Sequence, residues 1–163
     1  MFEQKLKTLK EIEADVTRLA KRISATSNQL PTYNISRDMG YRHIEIENQK
    51  YQYVGKERGL EIHRTSTNDY DELLYWVFKD ATWSIASDYE QNNRIEDQDC
   101  RRIMFSRQIE LMHKINPKMG KLCEHRIAEI LSTHPYDDEP TRVVNRMNRP
   151  KNDRPWWKFW SLT

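Results

Sequence analysis

Glycine is scarce in this chain of 163 residues, with only four in all. That is too few for the glycine-rich loops that cradle phosphates in P-loop or dinucleotide-binding enzymes, so those classes are largely excluded. Cysteine is scarcer still, at two, Cys100 and Cys123. A chain this long buries roughly 70% of the surface it exposes when unfolded and folds without covalent staples, so both read as reduced thiols. No run approaches the ~18 consecutive apolar residues of a membrane-spanning helix. The first residues, Met1-Phe2-Glu3-Gln4-Lys5, lack the apolar stretch of a secretion signal. A cytoplasmic protein without a membrane partner is expected.

Catalytic and metal motifs are missing as well. The five histidines, His43, His63, His113, His125 and His134, form no His-Glu-x-x-His, and no Cys-x-x-Cys accompanies them. Ser84 and Ser106 lie in helical patterns without the Gly-x-Ser-x-Gly turn that exposes a nucleophile. Glu110 and His113 share a helical face and read as a stabilising surface pair. Neither enzyme activity, cofactor nor metal is expected.

What is present is charge, unevenly placed. The net charge is +2, yet residues 142–163 hold six basic residues and one acid, a local +5 that leaves −3 for the rest. A mildly acidic body therefore carries a basic, proline-rich arm that ends in Trp156-Trp157-Lys158-Phe159-Trp160. Basic and aromatic residues interleaved in this way suit single-stranded nucleic acid. A dedicated binder would show a basic face on its folded part, so no direct nucleic-acid partner is expected. The aromatics require burial, in the chain's own core, in another protein or at a lipid surface.

The pattern predicts an α+β fold, mainly helical. Phe2, Leu6, Leu9, Ile12, Val16, Leu19 and Ile23 form one apolar seam of a long amino-terminal helix. From Tyr41 the period falls to two, and three runs separated by Asn48-Gln49 and by Glu57-Arg58-Gly59 predict a three-stranded antiparallel meander. Asp69, followed by Asp71 and Glu72, caps a central helix. Helices follow over residues 97–115, stopped by Asn116-Pro117, and over 118–131. Residues 1–134 read as one domain and 135–163 as an extended arm.

Several blocks in the run 51–111 carry a family resemblance. Tyr51-Gln52-Tyr53-Val54-x-x-Glu57-Arg58-Gly59, Arg64-Thr65, Asp69-x-Asp71-Glu72-Leu73-Leu74-Tyr75-Trp76-Val77-Phe78, Tyr89-Glu90-x-x-Asn93-Arg94 and Arg101-Arg102-x-x-Phe105-x-x-Gln108 occur in that order. Together the chain resembles the immunity protein 63 family of bacterial polymorphic toxin systems. The resemblance implies an antitoxin that binds the effector domain of a cognate secreted toxin and blocks its active site or substrate access, with no enzyme activity.

An acidic body suits a basic cleft. Candidate anions are Glu45, Glu47, Glu57 and Glu61 on the sheet and its turns, with Asp69, Asp71 and Glu72 at the start of the central helix. Tyr51 and Tyr53 would act as aromatic anchors if they point outward. Arg58 is either a solvated turn residue or a partner contact. A reading of another class, an adaptor or self-associating helical protein, rests on the amino-terminal seam and the aromatic tail; the oligomeric state stays open.

Overall fold

Two tight turns organise the sheet. Strand β2 (Arg42–Glu47) passes into β3 (Lys50–Glu57) through Asn48 and Gln49, with φ of 50° and 56°. Strand β3 passes into β4 (Leu60–Thr67) through Arg58 and Gly59, with φ of 51° and 76°. Consecutive left-handed residues make a type I′ turn, one of the two-residue hairpin turns that match the twist of the flanking strands. Both predicted turns and the antiparallel meander are thus present in the computed structural model, which describes residues 5–139 and Met147.

One strand was not legible. Thr32–Tyr33 forms β1, pairing parallel with His43 and Ile44, so the sheet has four strands in the order β1-β2-β3-β4. A two-residue strand shows no alternation, and the sequence signals only a loop there.

Register decides what the sheet buries. Ile44 lies opposite Tyr53, and Ile46 opposite Tyr51. The tyrosines in turn face Thr65 and Thr67 across β4. This face is covered by helices α1 (Leu9–Ala20) and α2 (Tyr70–Asn92). Tyr51 and Tyr53 are buried in one cluster with Ile12, Val16, Leu73, Val77 and Phe78. Their hydroxyls are satisfied at its margin. Tyr51 Oη accepts the Lys7 N–H at 2.8 Å, and Tyr53 Oη donates to Asp80 at 3.1 Å. Burial, with the Asp80 carboxylate beside it, pushes the Tyr53 hydroxyl well above its ordinary pKa.

Helix α1 is shorter than the seam suggests. Thr8 and Glu11 form a capping box: the Thr8 side chain accepts the Glu11 N–H, and the Glu11 carboxylate accepts the Thr8 N–H at 2.7 Å. This motif starts the helix at Leu9 and leaves Leu6 in the lead-in; Phe2 lies outside the described residues. Ile12, Val16, Leu19 and, in a following 3-10 turn, Ile23 are buried in the chain's own core. Among the described residues the seam is therefore used internally.

Helix α2 is buried on several sides, as expected of the core's centre, with the sheet against one side and α3 (Arg101–Ile115) against another. Asn116 closes α3 and opens α4 (Pro117–Thr133), its Oδ1 accepting the Lys118 N–H while Pro117 takes the first helical position. At the α3–α4 contact the His113 ring lies 2.3 Å from where a Cβ on Gly120 would stand, so only glycine fits. His113 pairs with Glu124 at 2.8 Å, whereas Glu110 holds Arg107 and Lys114; the expected Glu110–His113 pair does not form.

Helix α3 begins at Arg101 rather than at Asp97, because Asp97 is left-handed, with a φ of 60°, and the Arg101 backbone N–H donates at 2.9 Å to the side chain of Asp99. The Asp99 carboxylate also accepts from the Arg101 guanidinium at 2.6 Å and from the Asp137 N–H at 2.9 Å. Arg101 also donates to the carbonyls of His134 and Pro135, and Arg102 pairs with Asp138. The start of the expected arm is thereby fastened to the amino-terminal end of α3. Apart from Met147, the arm from residue 140 lies outside the described residues.

The Arg101 guanidinium holds the Asp99 carboxyl down to about 2, from 3.8. A depressed carboxylate contributes stability that is complete above about pH 4 and lost as pH falls toward 2. Asp99→Asn is expected to lower stability by about 1.5–3 kcal/mol at neutral pH, the range for hydrogen bonds to charged groups. Thermal unfolding between pH 5 and 2 should then show a smaller stability loss in the variant than in the parent.

Candidate partner-binding surface

The rule of alternation that buries Tyr51 and Tyr53 sends the intervening residues to the opposite face. His43 pairs with Val54 and Val54 with Arg64; Glu45 pairs with Gln52 and Gln52 with Ser66. Glu45 and Glu47 lie on that opposite face. The expected anchoring role of Tyr51 and Tyr53 is not found, since each is at most 4% exposed and both face the helices. The physical reason is the two-residue turn at Asn48-Gln49. It sets Tyr51 opposite Ile46 and Tyr53 opposite Ile44, and joins the tyrosines to the apolar face.

The outward carboxylates are organised by Arg64. Its guanidinium lies 2.7 Å from Glu61 and 3.4 Å from each of Glu45 and Glu47. Glu45 also meets the buried ring of His43 at 2.9 Å. Desolvation of Glu45 opposes ionisation, but the His43 hydrogen bond and the positive charge of Arg64 prevail and hold its pKa below the ordinary value. The Arg64 hydrogen bond lowers Glu61 likewise. These anions form a salt-bridge network, not a field of bare carboxylates. Surface ion pairs of this kind contribute roughly 0.2–1 kcal/mol each, so a basic group from outside can replace Arg64 at small cost.

Beside the network lies an apolar patch the sequence reading did not single out. Leu60 is 72% and Ile62 57% exposed, and both lie on β4, the last strand of the sheet. The loop before β2 is bonded to this end of the sheet: Gly40 N–H donates to the Lys56 carbonyl at 2.7 Å, and Gly59 N–H donates to Asp38 at 3.2 Å. Ile62 sits over Gly40, which has a φ of 78°. Met39 and Tyr41, on either side of Gly40, are exposed as well. A signal existed in the sequence, since Leu60 and Ile62 alternate with polar residues; the direction of that face depends on pairing with β3 and on an irregularity at Gly55/Lys56.

The remaining candidates divide between the two ends of β3, roughly 23 Å apart at ~3.3 Å per residue. Glu57 and Arg58 flank the β3–β4 turn, exposed and without a side-chain hydrogen bond or ion pair among the described residues. Asp69, Asp71 and Glu72 lie at the other end. Asp69 accepts the N–H groups of Asp71 and Glu72, and Glu72 accepts from Thr67 Oγ1 at 2.7 Å. Two of these three acids therefore cap and brace α2, while the Asp71 carboxylate faces solvent.

No group of three metal-ligating side chains occurs among the described residues, and no helix among them is long and apolar enough to cross a membrane. Burial pushes the Cys123 thiol up to about 11, the reverse of what a reactive cysteine needs. Truncating an inward tyrosine should act on folding. Tyr53→Ala is expected to lower the unfolding free energy by about 3–5 kcal/mol, the cost of removing a buried aromatic ring, in a denaturant titration. Arg64→Ala, at the exposed network, should cost about 1 kcal/mol or less in the same assay.

The family model described as Immunity protein 63 matches residues 47–129, just over half of the chain. The match runs from the end of β2 into α4 and takes in both tight turns, the Arg64 network except Glu45, and the exposed residues of β4. No curated protein and no solved structure matches the chain.

Proposed function

The chain belongs to the immunity protein 63 family, and from that premise we propose that it neutralises a cognate toxin in the cytoplasm of the producing cell by binding the toxin's effector domain. Family membership carries the reading. The surface adds to it, because the β3–β4 hairpin and the neighbouring Arg64 network combine the two parts of a specific interface: exposed apolar side chains for affinity, and ordered charge for steering and register.

The β3–β4 hairpin forms the centre of contact in this reading. Leu60 and Ile62 supply apolar area worth about 1.5–3 kcal/mol for each side chain fully covered. Glu57 and Arg58 at the tip, with Glu45, Glu47 and Glu61 around Arg64, meet basic and acidic groups of the effector. Neutralisation then follows from occupying the effector's active site or its approach, and no bond-making step by this protein is involved. Asp69, Asp71 and Glu72 serve α2 first and the interface second.

The self-associating alternative loses its main support, because Ile12, Val16, Leu19 and Ile23 are buried within the chain's own core.

Bacteria producing the C-terminal domain of the neighbouring toxin should grow only when this protein is co-produced, and the two should co-purify. Charge reversal by Glu57→Lys with Glu61→Lys, or Ile62→Asp alone, should weaken the complex at least tenfold, about 1.4 kcal/mol, with thermal unfolding little changed. Toxicity without rescue in a strain holding soluble protein would overturn the proposal; full affinity in both variants would move the interface to another face.

A further inference from the structure

Away from the sheet, helices α2, α3 and α4 leave an open groove of about 430 Å³, within the ~300–1,000 Å³ range of pockets that enclose a sizeable ligand. Its walls are mainly apolar, with Tyr75, Phe105 and Ile127 inside. Trp83 and Ile130 stand at the rim, 44% and 45% exposed. A second concavity, of about 240 Å³, shares Tyr75 and Arg126 with the first and runs to Asp69, Asp71 and Glu72. The two are neighbours, the first lined by aromatic side chains and the second by three acids with Lys118 and Arg126 among them.

The course of the chain ends its described stretch at the aromatic groove. The Asp99–Arg101 clamp fixes residues 134–138, and there the Tyr136 ring packs on Phe105 with centroids 6.3 Å apart. Phe105 packs in turn on Trp83, also at 6.3 Å. From Glu139 the sequence continues for 24 residues, carrying a local +5 over 142–163 and closing with Trp156-Trp157-Lys158-Phe159-Trp160.

We propose that residues 156–160 of the same chain dock in this groove, with the basic residues that precede them set against the acids of the neighbouring concavity. The 16 residues from 140 to 155 can span up to ~50 Å at ~3.3 Å each, so reach is not limiting. Tethering gives the segment an effective concentration of order millimolar at its own groove. A second copy or a separate aromatic ligand competes at a disadvantage. The pairing matches chemistry in both concavities, aromatic to aromatic and basic to acidic.

The test uses the full chain labelled with 5-fluorotryptophan and read by fluorine NMR, each resonance being assigned by a single Trp→Phe replacement. At least one of Trp156, Trp157 and Trp160 should lie away from the position of free 5-fluorotryptophan, independent of protein concentration. Ile130→Lys should collapse it to the free position while Trp76, packed on Tyr53, stays in place as the internal control of folding. In the reverse experiment, replacing all three tail tryptophans with serine should move the Trp83 resonance and leave Trp76 unmoved. Free positions for all three tail tryptophans, shifts that depend on concentration, or a Trp83 resonance indifferent to the tail would each overturn the proposal.

Discussion

The burial of Tyr51 and Tyr53 between the sheet and helices α1 and α2 is the constraint on which the rest of the molecule depends. Side chains on a strand alternate strictly, so a slip of one residue would move the whole tyrosine face to solvent and bring Gln52 and Lys56 against the helices. Large aromatic bodies with their hydroxyls bonded to Lys7 and Asp80 have one good position. Once β3 is set, the two-residue turns set its neighbours. Ile44 must face inward with Tyr53, and Glu45 and Glu47 must then face outward.

That same alternation builds the proposed interface. The outer side of the sheet collects Glu45, Glu47, Glu61 and Arg64 because none of them can accompany the tyrosines. Leu60 and Ile62 are left exposed on the last strand, an arrangement that natural sheets usually avoid unless a partner covers it. Specificity in such a surface comes from the pattern of charge around the apolar centre, since a wrong partner leaves a charge unpaired or meets a like one. Fold stability therefore rests on the covered tyrosines and toxin recognition on the exposed side chains of the β3–β4 hairpin and the Arg64 network, so changes to those exposed side chains are cheap for the fold.

Much of this was legible in the amino-acid sequence. Asn48-Gln49 and Arg58-Gly59 announced both hairpins, Asp69 announced α2, and Asn116-Pro117 marked the boundary between two helices. The outward direction of Glu45 and Glu47 followed from alternation with Ile44 and Ile46. The same turn, counted across, would have set Ile46 opposite Tyr51 and turned the tyrosines inward. Thr8 and Glu11 spelled a capping box, but an apolar seam running back through Leu6 and Phe2 obscured where α1 starts. Other features had no local signal. The strand Thr32–Tyr33 is too short to alternate, Arg64 meets three glutamates only through register, and the helical groove exists only once three helices have packed.

The central claim is that the exposed β3–β4 hairpin, with the Arg64 network beside it, covers the effector domain. Amide hydrogen exchange of the full chain, free and bound to the effector domain encoded beside it, tests this most directly. The account predicts slower exchange across residues 56–64 and in the loop around Gly40, with helix α3 unchanged. Protection confined to α3 and α4, with the β3–β4 hairpin exchanging as fast as in the free protein, would contradict it.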